Sequence, residues 1–343
     1  MGVSPLQDLV ETVLGADRSD EMFQLLVVHP DLTAPAEKVS RAVMAQALNM
    51  VLFSDLLLRV PAAADYAADC LRDGRTIFHD HGAVRTVVMS GMGALPSGEA
   101  AVVRVLKPLG YQQNGLYPLD RLKMTGRSYA HLDHPEDIAQ FFVSELHTDR
   151  FSPDFVKAAR AVTATSRDPL SDEAKAVLAT FQAQGEADLA AAVAVLPVLA
   201  ACFDRQHDAP NRADYETLLA ESAEMAWIAT EGNAFNHATD RVEDVEAVAE
   251  AQKTLGRPMK DTVEVSGSGR VRQTAFRAAQ VMRDFVDADG ATVTRPAPGS
   301  FYEFITRLQM TDEKTGRPRL DLAFDSSNAQ GIFKMTAAAG ADR

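Results

Sequence analysis

The amino-acid sequence predicts an α+β fold in which two βαβββ modules pair into one curved mixed sheet, with helices ahead of them and inserted between them. Three observations predict it. Apolar residues recur at three- and four-residue spacing from residue 4 to 72 and again from 151 to 226, the period of amphipathic helices. Two other segments, about 76–150 and 228–310, mix strand-like runs with one helix-like stretch each. These two segments follow the same order: "HGAVRTV", "GEAAVVRVLKPLGYQ", "LKMTGRSYAHLDH" and "AQFFVSELHT" in the first, "HATDRV", "VEDVEAVAEAQKTLGRPM", "TVEVSGSGRVRQTAFRAA" and "GSFYEFITRL" in the second. Each ends on an acid, Glu145 or Glu303, at nearly the same separation from its opening histidine, His81 or His237, as a duplicated module requires.

In chain order, residues 1–75 read as an N-terminal helical region, 76–150 as the first module, 151–227 as a helical insertion, and 228–343 as the second module with a C-terminal lid. The N-terminal helices are "PLQDLVETVLG", "SDEMFQLLVVHP", "APAEKVSRAVMAQALNMVLFSDLLLRV" and "AADYAADCLRDG". In the insertion, "SPDFVKAARAV" and "SDEAKAVLATFQAQGEADLAAAVAVL" each open on a Ser cap with acids in the first turn, and the second reads as one long helix. The alanine-rich "ADLAAAVAVLPVLAACF" is short for a bilayer span and interrupted by Pro197, so it reads as a buried helix. "HLDH" at 131–134 reads as a solvent-facing turn leading to a helix near Pro135, and "SGSGR" at 266–270 as a β-turn, since it lacks the ending and context of a phosphate loop.

Composition narrows the function. With 46% hydrophobic and 24% charged residues in 343, the chain is an ordinary globular sequence with enough apolar material for a large core. A net charge of −14 argues against nucleic acid or an anionic membrane as partner, because both need a basic footprint. Any anionic ligand must meet local positive charge instead. The two cysteines, Cys70 and Cys202, form neither a disulfide framework nor a thiolate metal site. The opening "MGVSPLQDLVETVLG" lacks a basic region followed by an apolar run, and Leu6 stands where myristoylation needs Ser or Thr. A reducing cytoplasm is the expected compartment.

Chemistry concentrates in "FHDHGAVRTVV", residues 78–88. On a regular strand His79, His81, Ala83, Arg85 and Val87 share one face. Paired modules place their first and last strands around a shared cavity, which makes His81, His237 and either Glu145 or Glu303 the candidate ligands. Two imidazoles and one carboxylate on one side of an octahedral metal leave three positions open, the arrangement that suits Fe(II), a bidentate substrate and O2.

"FHDHGAVRTV", "EGNAFNHATDRV" and "GSFYEFITR" resemble the ligand segments of the DUF1338 family, a branch of the vicinal oxygen chelate fold that includes 2-oxoadipate dioxygenase/decarboxylases. His81 to Arg85 match its His-Gly-Ala-aliphatic-Arg motif, and Asn236 to Arg241 its Asn-His-x-Thr-x-Arg segment. The resemblance implies paired βαβββ modules around a metal and selects Glu303 over Glu145 as the carboxylate. It also implies an Fe(II) cofactor and, as partners, a small 2-oxo diacid and O2, giving a 2-hydroxy acid and CO2. A metal-dependent lyase or isomerase, or a binding protein of the same fold, is the alternative. The C-terminal "FDSSNAQGIFKMT" is similar to the tail that closes the site in hydroxyphenylpyruvate dioxygenases of this fold.

Each proposed ligand is followed four residues later by an arginine, Arg85, Arg241 and Arg307. Four strand residues advance about 13 Å on one face, and a guanidinium binds carboxylate through two parallel hydrogen bonds. Arg85 is therefore the candidate for the substrate's distal carboxylate, with Arg241 and Arg307 in supporting positions. Asn236, Thr239 and Tyr302 are candidates to orient the ligands by hydrogen bonds.

Overall fold

Local signals set most of the elements in the computed structural model, which describes residues 4–313 and 315–324. Helix α1 (Pro5–Leu14) starts on a proline, whose fixed φ suits the first helical turn, and Gly15 (φ 77°) turns the chain into α2 (Ala16–Leu25). A short strand β1 (Lys38–Ser40) feeds α3 (Arg41–Arg59), capped by Ser40 Oγ accepting from Val43 N. Long and apolar enough to cross a bilayer, α3 is instead enclosed by protein and forms the centre of the helical core; α4 (Pro61–Arg72) follows. The first module is β2 (His79–Val88), α5 (Ala100–Leu106), β3 (Tyr111–Leu119), β4 (Met124–His131) and β5 (Gln140–His147). Next come α6 (Pro153–Thr163), α7 (Asp172–Gln184), β6 (Glu186–Asp188), α8 (Leu189–Ala201), α9 (Arg212–Glu221) and α10 (Ala223–Glu231). The second module holds β7 (His237–Arg241), α11 (Val245–Thr254), β8 (Glu264–Val265), β9 (Val271–Ala275), the hairpin β10 (Gln280–Val286) and β11 (Thr292–Pro298), and β12 (Phe301–Arg307). A small hairpin, β13 (Gln309–Thr311) with β14 (Pro318–Leu320), is the last regular element of the described residues.

The eight-stranded mixed sheet runs β3-β4-β5-β2-β7-β12-β9-β8. Its two halves correspond strand for strand: β2 pairs parallel with β5 as β7 does with β12, and β4 and β9 lie antiparallel outside them. The join is the antiparallel pair β2–β7. The β10–β11 hairpin stands outside the sheet as an addition to the second half. Helices α1–α4, α7, α8 and α11 pack on the face carrying Val84, Phe141 and Phe304. Helices α6, α9 and α10 cover part of the other face, that of Val87 and Leu146.

Three expectations change. The single helix read from residue 171 onward is two, because Gly185 enters the left-handed region (φ 75°) and ends α7; the next three residues then pair with β1 as β6. No helix forms near Pro135; the chain turns there into β5. His131 is buried rather than solvent-facing, its Nε2 against Leu109 O at 2.9 Å and its Nδ1 accepting from Asp133 and His134 N. "SGSGR" is the expected turn: Gly269 N donates to Ser266 O between β8 and β9.

Candidate metal centre

Strand register assembles the centre. In one row across the join, His81 on β2 pairs with Thr239 on β7, which pairs with Glu303 on β12. In the next row His237 lies between Ala83 and Phe301. The two outer residues of the first row lean over the short Thr239 side chain, and His237 meets them from two residues along β7. His81 Nε2 lies 3.2 Å and His237 Nε2 3.6 Å from Glu303 Oε2. Thr239 Oγ1 donates to Glu303 Oε2 at 2.8 Å and lies 3.1 Å from His81 Nε2. All three ligand candidates are buried, with one ligand atom from each within 4.8 Å of the others.

A bulge builds the support behind His81. His79 pairs with Asp240 while His81 pairs with Thr239, so Asp80 is the extra residue in β2. Asp80 Oδ1 lies 2.9 Å from His81 Nδ1. Its carboxylate also accepts from Arg241 Nε (2.7 Å) and from Arg307 Nε and Nη2 (2.9–3.0 Å). Burial opposes ionisation of Asp80, but Arg307 and Arg241 outweigh it and hold the carboxyl well below its usual range. Burial opposes the charge on His81, but Asp80 and Glu303 outweigh it and raise its pKa; a metal bound at Nε2 would take the place of the proton there, with Asp80 holding Nδ1–H. Burial likewise opposes the charge on Glu303, yet His81 and His237 keep its pKa low; His237 is pushed down to about 3, mainly by burial. Asn236 Oδ1 lies 3.3 Å from His237 Nδ1.

The donor set fits a divalent metal. It offers two imidazole nitrogens that burial or a carboxylate partner suits to ligation, and one anionic oxygen. Glu303 Oε1 is in addition buried with no hydrogen-bond partner among the described residues, an acceptor left for a ligand.

Arg85 lies on the same face of β2 as His81, two residues beyond Ala83. Its guanidinium is buried 4.9 Å from the ring centroid of Trp227 on α10, with Glu224 of the same helix favouring its charge. Burial lowers its pKa to about 10, so it is a cation at neutral pH. It is close enough to His237 to depress that imidazole.

Other candidates lie elsewhere. The bulge turns His79 to the helical face, against Phe53 and Phe235, so the shared face with His81 is corrected. Glu145 pairs with Thr86, five strand positions from His81, where it binds Arg127 and accepts from Glu99 N. The register makes Phe142, opposite Ala83, the counterpart of Glu303. Tyr302 points to the helical face among Phe53, Tyr66 and Phe304 and orients no ligand. A second group, His29, His134 and Asp137, lies partly exposed at the surface. Asp80 was not singled out by the sequence, its only signal being the acid inside "HDH"; Phe324 opens the C-terminal segment read there as a lid. Phe324 packs edge-on to His81 at 4.7 Å, while the rest of the expected lid lies outside the described residues.

A family model described as 2-oxoadipate dioxygenase/decarboxylase matches residues 47–338. Among solved structures, a glyoxalase-superfamily protein from Ralstonia eutropha JMP134 is 55% identical, covers 94% of this chain and 98% of its own, and superposes with a TM-score of 0.89. The hydroxyglutarate synthase of Oryza sativa, solved with 2-oxoadipate, is 20% identical over 89% of this chain and 97% of its own, with a TM-score of 0.64. That of Pseudomonas putida, also with 2-oxoadipate, is 19% identical over 88% and 74%, with a TM-score of 0.58. At those identities the two synthases show the shared fold. A search of curated proteins finds no match. With the family model spanning most of the sequence and the sheet and ligand rows in place, the chain belongs to the 2-oxoadipate dioxygenase/decarboxylase family.

Proposed function

We propose that this protein is a non-haem Fe(II)-dependent dioxygenase/decarboxylase that converts a 2-oxo diacid, 2-oxoadipate by preference, and O2 into 2-hydroxyglutarate and CO2. The observation that carries the reading is the buried convergence of His81, His237 and Glu303 on the same sheet face as a buried arginine. Fe(II) held by these three side chains supplies a Lewis acid with open positions for a chelating 2-oxo acid and for O2.

The chain's own residues supply geometry, charge and a dry site. Asp80 and Asn236 orient the two imidazoles. Thr239, short and hydroxylated, leaves room above it and holds one oxygen of Glu303. Arg85 binds the distal carboxylate, which fixes the substrate at both ends and excludes monoacids. Phe142, Phe301 and Phe324 would keep water from the centre, where the bound metal would supply the O2 chemistry that turns the 2-oxo diacid into the hydroxy acid and CO2.

The test is O2 uptake by Fe(II)-loaded protein with 2-oxoadipate, with 18O2 tracing into the product. Stoichiometric O2 consumption and labelled 2-hydroxyglutarate are expected. Turnover under strict anaerobiosis with Zn(II) or Ni(II) in place of iron overturns the reading in favour of a lyase or isomerase.

A further inference from the structure

The segment Asp321–Phe324 lies against the centre, its Phe324 ring on His81, without joining the sheet. It touches both halves of the molecule. Gln140 Nε2 on β5 donates to Leu322 O at 3.3 Å, and Phe324 N donates to Tyr117 Oη on β3 at 3.1 Å. From the second module, Arg270 Nε meets Asp321 Oδ2 at 2.8 Å. Its strongest anchor is Arg307 at the end of β12, whose Nη1 donates to Asp321 O at 2.9 Å and Ala323 O at 2.8 Å. The same guanidinium lies 4.9 Å from the Phe324 ring.

Arg307 thus uses one edge of its fork on Asp80 and one nitrogen on the strap. Asp80 in turn holds His81 Nδ1, and Phe324 packs against the His81 ring itself. Strap, Arg307, Asp80 and His81 form one closed circuit of contacts, with Arg307, Asp80 and His81 buried and the strap partly exposed. The side chains of Arg307 and Asp80 are both fully buried. A buried carboxylate that loses its main cation is costly, so the circuit resists partial opening.

We propose that Arg307 is a positioning residue that couples seating of the 321–324 strap to the orientation of His81, so that metal binding and closure of the site stabilise one another. The proposal rests on the reading of His81 as a metal ligand. Coupling of this kind is reciprocal: whatever factor the metal contributes to strap closure, a seated strap contributes to metal affinity. Arg307 is the point of control because only a planar fork serves a carboxylate and two carbonyls at once; a lysine keeps the charge and loses the geometry.

The experiment measures two quantities on the full chain: Co(II) affinity by visible-absorbance titration, and hydrogen–deuterium exchange of the strap amides with and without Co(II). In the unsubstituted protein Co(II) slows strap exchange. Arg307→Lys is expected to weaken Co(II) about tenfold, as loss of an outer support does, and to make strap exchange insensitive to the metal. Phe324→Ala leaves the Asp80 pairs in place and is expected to weaken Co(II) less and to shift the ligand-field bands; it serves as the second variant should Arg307→Lys not fold. Strap exchange in the unsubstituted protein that ignores Co(II), or unaltered Co(II) affinity and bands in both variants, overturns the coupling. If the unsubstituted protein binds no Co(II), or His237→Ala binds it equally well, the metal reading itself has failed, and the coupling falls with it.

Discussion

Replacing Arg85 separates substrate reading from metal binding. The guanidinium is buried against Trp227, on the ligand face but outside the ligand set, so a diacid whose 2-oxo end sits at the metal brings its far carboxylate into a desolvated site. Truncating one partner of such a charge pair costs about 2–5 kcal/mol, or roughly 30- to 4,000-fold in kcat/KM at about 1.4 kcal/mol per decade. Arg85→Met is expected to lose this much with 2-oxoadipate and far less with a 2-oxo acid bearing an apolar tail of the same length. Arg85→Lys keeps the charge without the fork and is expected to raise KM for the diacid while kcat falls less. The assay is kcat/KM for both acids together with iron per chain, which stays at the unsubstituted level. Unchanged discrimination between the acids refutes the assignment, and lost iron makes Arg85 part of the metal's support.

The carboxylates on the two modules give an internal contrast: Glu303→Gln is expected to reduce bound iron at least tenfold, and Glu145→Gln to leave it unchanged, as metal analysis after dialysis would show. Asp240 is buried beside Tyr66, Cys70, Tyr302 and Asp80, with Arg75 as an opposing charge that acts on it, and burial first of all pushes its carboxyl up to about 7. Against an unfolded value of about 3.9, that is roughly 4 kcal/mol of stability, fully present below about pH 4 and lost as pH rises toward 7. Asp240→Asn should therefore flatten the fall in unfolding free energy between pH 4 and 7, and parallel pH profiles would refute it. Gly82→Ala places a β-carbon 2.3–2.8 Å from the ring of buried Phe235, so denaturant unfolding should show a loss of about 1–3 kcal/mol or more; an unmoved midpoint contradicts the packing.

The repeat, the strand motifs and the residues of the centre were legible because each leaves a local mark: a histidine and arginine at strand spacing, or a helix opened by Ser. What was not legible depends on register. One inserted residue, Asp80, sends His79 to the opposite face, and nothing in "FHDH" itself says which residue is the extra one, since the partner strand decides. Equal spacing in the sequence made Glu145 and Glu303 look equivalent, whereas pairing sets Phe142 opposite Glu303 in the repeat, because the loops preceding β5 and β12 differ in length. Tyr302 alternates with Glu303 along β12 and so falls on the far face, a consequence of strand parity that the motif alone did not bring forward.

Phe142 has a further consequence. Two matched halves meeting at β2 and β7 begin with the means to surround a metal evenly, each contributing a histidine and, from the neighbouring parallel strand, an acid. With phenylalanine in one of the two acid places, the even arrangement is broken at a single side chain. A metal held there would have Glu303 and the second half behind it, and Phe142 and Arg85 of the first half in front. On the proposed reading, a chelating molecule would lie with its uncoordinated end toward Arg85 on β2. Direction in this site comes from one aromatic ring at a position where symmetry asks for a charge.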